Sequence, residues 1–249
     1  MKGKVYLVGA GPGASDLLTL RAAHLLERAD IVFHDALVNP EILSLAATAQ
    51  KVPVGKRCGR HSAAQKFINK RLVDAAIRHA VVVRLKGGDP MLFGRAQEEI
   101  DALRAAGVPC EVVPGVTSAL AASADLATSL TRRGISRSVS FVTPRHGEGE
   151  DPGQWVRAAL AADTAVIYMG VGQATSLSAA LMSGGMSGST PIAVVENASL
   201  ADSACVAGKL ADLPRLAKLC SGGPALILLG EVYRETALRE SIRDERISA

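Results

Sequence analysis

The sequence predicts an α/β fold: two α/β domains joined in one chain. Three observations predict it. Apolar runs of strand length alternate with helix-length segments along nearly the whole chain. Four of those runs end in small, backbone-exposing residues: VYLVGAGPG over 5–13, VVVRLKGGDP over 81–90, CEVVPGVTSA over 110–119 and AVIYMGVG over 165–172. A polar, basic stretch over 129–137 interrupts the alternation and sets the expected division into residues 1–130 and 131–249. Open α/β sheets bind ligands outside the carboxyl ends of their strands. Glycine there lets the main chain approach a ligand without a Cβ in the way.

The first strand covers 4–8, and Ser15 or Asp16 caps the next helix, whose apolar face is Leu17, Leu18, Leu20, Leu25 and Leu26. A strand over 31–34 ends in Asp35, a helix begins near Pro40, and a short strand over 51–54 runs into a basic loop over 55–61. A helix over 63–79 leads to the strand 81–85. Past the GGDP turn, a helix over 93–106 leads to the strand 110–113, and a short helix starts at Thr117. The second set has strands over 138–143, 165–168, 192–196, 204–206 and 225–229. Its helices lie near Trp155, from Ala174, and over 210–219. The charged tail from Arg234 reads as a surface helix.

The 249 residues are 48% hydrophobic and 21% charged, enough apolar material for real cores and too little charge for disorder. Aromatic residues are only 3%, which argues against a nucleic-acid platform built on stacked rings. The net charge of +4 permits an anionic partner, and its placement is more telling. Lys51, Lys56, Arg57, Arg60 and His61 cluster, as do Arg132, Arg133, Arg137 and Arg145. Such clusters are either solvated faces or sites that capture carboxylate or phosphate. Cys58, Cys110, Cys205 and Cys220 have no metal-ligand spacing, so neither a metal nor a disulfide framework is expected, and Cys110 and Cys205 read as core. The N-terminus enters a strand at once and no apolar run reaches the length of a membrane span, so a cytoplasmic protein is expected.

Residues 9–14, GAGPGA, satisfy the permissive dinucleotide fingerprint, with Asp35 about where a ribose contact would stand. A nicotinamide-dependent dehydrogenase is therefore one reading. Pro12 removes an N–H from the loop, and Asp16 puts a carboxylate where a phosphate's charge would go. A cofactor without phosphates meets neither obstacle. S-adenosylmethionine is such a cofactor, and its cationic sulfonium suits carbonyls and an acid such as Asp89.

The ordered elements VYLVGAGPG, DALV, VGK with GRHS, VVRLKGGDP–LFGR–EE, VVPGVTSA, LTRRG, YMGV, PIAVVENAS and PALILLGEV resemble the uroporphyrinogen-III C-methyltransferase family, from Val5 to about Val232. The resemblance implies two α/β domains with the methyl donor in the cleft between them, and a homodimer. It implies two methyl transfers from S-adenosylmethionine, which leaves as S-adenosylhomocysteine, to uroporphyrinogen III. The product would be precorrin-2, the branch point toward sirohaem, cobalamin and haem d1. A related precorrin methyltransferase of the same fold is the nearest alternative.

Carried over by motif, Pro12, Gly87, Gly88, Asp89, Leu92, Thr117, Ser118, Met169 and Ala198 would contact the donor. Asp35 and Lys56 match positions that handle protons. Arg95, Glu98 and Arg133, with Met169, match positions at the tetrapyrrole. Guanidinium stays protonated, so Arg95 and Arg133 serve better as carboxylate anchors than as bases. Glu98 would hold Arg95 or face pyrrole N–H groups, with Glu99 the neighbouring alternative. His34, Arg132, Arg145 and Ala198 depart from the usual family pattern.

Overall fold

The computed structural model describes residues 2–54, 61–147, 149 and 151–239. Two compact units divide the chain, Met1–Ser118 and Ala119–Ala249.

In the first unit β1 (Lys4–Gly9), β2 (Ile31–His34), β3 (Gln50–Pro53), β4 (Val81–Lys86) and β5 (Cys110–Val113) form one sheet in the order β3-β2-β4-β1-β5. Every pairing is parallel, so all five carboxyl ends lie along one edge. The helices are α1 (Leu20–Glu27), α2 (Pro40–Ser44), α3 (His61–Arg78), α4 (Ala96–Ala105) and, at the junction of the units, α5 (Ser118–Asp125). Side chains alternate across the pleat. Val8, Val32, Val83 and Leu85 pack with Leu25, Leu26 and Ile42 of α1 and α2. Val5, Leu7, Ile31, Phe33 and Val82 pack with Leu72, Ala75, Ala76, Ala96 and Leu103 of α3 and α4.

The second unit's sheet contains β6 (Val139–Val142), β7 (Thr164–Tyr168), β8 (Pro191–Glu196), β9 (Ala204–Lys209) and β10 (Ala225–Gly230), in the order β6-β7-β10-β8-β9. Only β6 and β7 pair in parallel; β10 runs antiparallel between β7 and β8. Helices α6 (Gln154–Leu160), α7 (Ala174–Ser183) and α8 (Leu213–Leu216) lend Ala159, Leu177, Leu181, Leu213 and Leu216 to one face. The other face packs against Ala119, Ala121 and Ala122 of α5, with Leu130 and Tyr233.

That packing moves the division from the expected 130/131 to 118/119. α5 and Leu130 bury their apolar side chains in the second unit, so the basic stretch belongs wholly to it. Other differences are local. The first helix starts at Leu20 rather than at Ser15, because the Thr19 hydroxyl accepts the Ala22 N–H at 3.2 Å and caps it there. Ser15–Leu17 forms only a single 3-10 turn, and Leu20 faces solvent. The fourth helix starts at Ala96 rather than Phe93, since Phe93 and Arg95 have φ of 52° and 55°. The expected helix over 210–219 is a succession of short turns around Pro214, which cannot donate an N–H. Cys110 and Cys205, expected in the core, are partly buried and pack against it.

Candidate active site

At the carboxyl edge of the first sheet three loops meet through their main chains. Gly11 donates its N–H to the Gly88 carbonyl at 3.2 Å, and Gly88 donates to the Gly11 carbonyl at 2.7 Å. A Cβ on Gly9 would stand 2.6 Å from Gly115 Cα and 2.7 Å from the Gly88 oxygen. Gly88 itself has φ of 67°, a left-handed value that glycine adopts without strain. The exits of β1, β4 and β5 therefore touch backbone to backbone, where no side chain fits.

Asp89 fastens this junction. Its Oδ2 accepts the Gly115 N–H at 2.9 Å and its Oδ1 accepts the Met91 N–H at 2.8 Å. Thr117 lies beside Gly88, and a Cβ on Gly87 would meet Leu37 Cβ at 3.7 Å. Leu92, Thr117 and Ser118 are half-buried. The structure thus gathers Pro12, Gly87, Gly88, Asp89, Thr117 and the loop after Asp35 at one edge of the first unit.

The loop chemistry disfavours a dinucleotide. The Ala10 N–H is given to the Lys86 carbonyl at 2.7 Å, the Gly11 N–H to Gly88, and Pro12 has none. No α-helix opens on this loop, so a pyrophosphate would find neither a row of free donors nor a helix N-terminus. A cationic ligand needs neither, and the residues present fit one.

Asp35 follows β2 with its side chain about one-third exposed, and its Oδ1 accepts from Arg84 Nη2 at 2.6 Å. Arg84 is 3% exposed. Its Nε donates to Glu99 Oε1 at 3.1 Å, and its Nη1 to the Leu85 carbonyl at 3.1 Å. Lys86 Nζ donates to both Glu99 oxygens at 3.0 Å, and Gln65 Nε2 reaches Oε1 at 3.2 Å. Glu99 is fully buried. Burial, with the Arg84 charge added, pulls the Lys86 ammonium below its usual range, against the opposing pull of Glu99.

Arg84 and Lys86 were not among the expected site residues, and Glu99 entered only as the alternative to Glu98. One signal could have found them. A central parallel strand is apolar on both faces, so two cations in VVVRLK require buried partners. The pleat supplies the rest: Arg84 and Lys86 share the Val82 face, where α3 and α4 present Gln65 and Glu99.

Arg95 and Glu98 are exposed and joined to each other, Nε to Oε1 at 2.6 Å and Nη2 to Oε2 at 2.8 Å. Of the two acids in this turn, Glu98 therefore holds Arg95, and Glu99 turns into the core. Lys56 lies outside the described residues.

The second unit holds Met169 and Ala198 at strand ends and Arg133 in a turn before β6. Met169 follows β7 with φ of 55° and is 41% exposed. Ala198 follows β8 and is buried among apolar neighbours. Since Leu226 pairs with Tyr168 and Ala225 with Glu196, both segments flank the start of β10. Glu196 braces that region, accepting the Ser221 N–H and the Gly222 N–H at 2.8 Å each, and the Gly223 N–H besides. Those amides, Ser221 foremost, hold its carboxyl below the usual carboxylate range. Arg133 is exposed in the turn over 132–136 and has no partner among the described residues. Arg132 pairs with Glu235 at 3.0 Å.

Among the described residues no cluster of His, Cys, Asp or Glu could hold a metal ion, and no helix is long and apolar enough to cross a membrane.

Residues 4–214 match the family model of the tetrapyrrole (corrin/porphyrin) methylases. The chain is 44% identical over 236 residues to a uroporphyrinogen-III C-methyltransferase of Pseudomonas aeruginosa, covering 94% of this chain and 96% of that one. It is 45% identical to a sirohaem synthase of Zymomonas mobilis, but covers only 49% of that longer protein. Among solved structures, uroporphyrin-III C-methyltransferase from Thermus thermophilus superposes with a TM-score of 0.81 at 41% identity, covering 93% of this chain and 99% of that one. The same enzyme complexed with S-adenosylhomocysteine superposes at 0.79 with 40% identity, over 93% and 99% of the two chains.

Proposed function

This chain belongs to the tetrapyrrole methylase family, and on that footing we propose that it methylates uroporphyrinogen III with S-adenosylmethionine as donor. The observation that carries this reading is the end-to-end match to the Pseudomonas methyltransferase, which leaves almost no part of either chain uncovered. Two transfers give precorrin-2.

The donor supplies a methyl group on a positive sulfur, open to in-line displacement by an electron-rich pyrrole carbon. Pro12, Gly87, Gly88, Asp89, Leu92, Thr117 and Ser118 are assigned to it, the first five of them around the glycine junction, and the resemblance adds Met169 and Ala198. Asp89 acts on the donor chiefly by fixing the loops, since both its oxygens already accept backbone N–H groups. Attack leaves a cationic ring that must lose a proton. Asp35 takes it at Oδ2, which has no partner among the described residues while Oδ1 is held by Arg84. Lys56 assists proton handling from the basic loop. Arg95, kept in place by Glu98, and Arg133 receive the ring's carboxylates; Glu98 also lies within the substrate set, as does Met169. The enzyme works as a cytoplasmic homodimer.

The test is an anaerobic incubation of the protein with uroporphyrinogen III and methyl-labelled donor. The expected product has gained two labelled methyl groups. A substrate recovered without label overturns the reading. Thermal stabilisation by NAD but not by S-adenosylhomocysteine would favour a dehydrogenase instead.

A further inference from the structure

The buried charges behind Asp35 form a chain of contacts with a direction. Glu99 is at the closed end, with no exposed surface and four hydrogen bonds converging on its two oxygens. Arg84 is in the middle, its three nitrogens turned to Glu99, the Leu85 carbonyl and Asp35. Asp35 is at the open end, partly exposed and held by one oxygen.

We propose that Glu99 is a positioning residue for methyl transfer: it anchors the Arg84 guanidinium, and the anchored guanidinium fixes the Asp35 carboxylate. The inference rests on the role given to Asp35 above. Three observations support it. Holding Lys86 requires only Glu99, yet Arg84 extends the contacts to a partly exposed acid at the strand end. An all-apolar packing would cost less than two cations and an anion in a sheet interior, so stability alone does not account for them. The guanidinium is planar, and Nε on Glu99 with Nη1 on the Leu85 carbonyl fixes its orientation, in which one Nη2 N–H meets Asp35. Glu98, one residue away, is exposed, binds Arg95, and has no part in this chain of contacts.

Glu99→Gln tests the idea, with Lys86→Met/Glu99→Gln as a companion. The companion removes one buried cation together with the buried anion, so it folds even if the single variant does not. In both, turnover should fall about tenfold or more, while KM for the donor changes by less than about twofold. On an Asp35→Asn background, Glu99→Gln should cause no further loss in single-turnover label transfer. Crystals of the companion variant should show the Arg84–Asp35 contact broken or displaced. Full turnover in the companion variant would overturn the inference, as would an additive loss on the Asp35→Asn background, or an unmoved Arg84–Asp35 pair. If the wild-type protein transfers no methyl group to uroporphyrinogen III, the functional reading falls, and the crystallographic arm still decides whether Glu99 sets Asp35.

Discussion

The Asp89 carboxylate joins its own loop to that of Gly115: Oδ2 accepts the Gly115 N–H at 2.9 Å while Oδ1 accepts the Met91 N–H at 2.8 Å. One acid thereby sets the spacing of the β4 and β5 exits. Asp89→Asn keeps the shape but leaves one acceptor oxygen for two donors. Stability should fall by about 1–3 kcal/mol, the cost of an unsatisfied polar group. Affinity for S-adenosylhomocysteine should fall about tenfold. Urea unfolding and titration calorimetry check the two values.

Glycine at positions 9 and 115 is a packing requirement. A Cβ on Gly115 would overlap the Gly88 oxygen and stand 2.8 Å from Gly9 Cα. Gly115→Ala and Gly9→Ala should each cost about 1–3 kcal/mol or more, as overpacking does. Gly172 has nothing within 4 Å of its would-be Cβ, so Gly172→Ala should leave the urea midpoint unchanged within error.

Much of this was legible in the sequence. The strand–helix alternation and glycine-ended runs located the five strands of the first sheet, because apolar runs and turn chemistry are local signals. The antiparallel second sheet was less legible: nothing local says that β10, distant in sequence, inserts between β7 and β8. The division of the chain was misplaced for a similar reason. The small apolar face of α5 could serve either unit, and only its burial in the cluster that holds Val166 and Ala193 decides. At the candidate site, the resemblance assigned roles to Asp35, Arg95, Glu98 and the GGD turn. It did not reveal which of Glu98 and Glu99 points inward, because adjacent helix residues differ by direction and not by type.

Arg95 is held bidentately by Glu98. Arg95→Lys keeps the charge and loses the planar fork. Turnover should drop by about tenfold or more, with donor affinity within about twofold of the original. Steady-state kinetics beside calorimetry separates the two. Normal turnover would remove Arg95 from the substrate set.

Glu196 titrates below the usual carboxylate range because three backbone N–H groups stabilise its anion. A depressed folded-state value means that its contribution is complete above the unfolded value and is lost as pH falls through the folded one. The stability gap between wild type and Glu196→Gln should therefore be widest near neutrality and narrow as pH falls through and below the ordinary glutamate range. Urea midpoints across that interval measure it. A gap that widened in acid would show that the carboxylate is not stabilised as the anion.

The order of strands also bears on how a nascent chain acquires its shape. Every strand of the first sheet has been synthesised once Val113 has left the ribosome. The second sheet lacks a central member until Gly230 emerges, so β7 and β8 each wait with an open edge. Unpaired edges invite intermolecular pairing. A truncation before β10 would thus spare the amino-terminal half and leave the other half sticky, which makes the closing strand the step at which misassembly is decided.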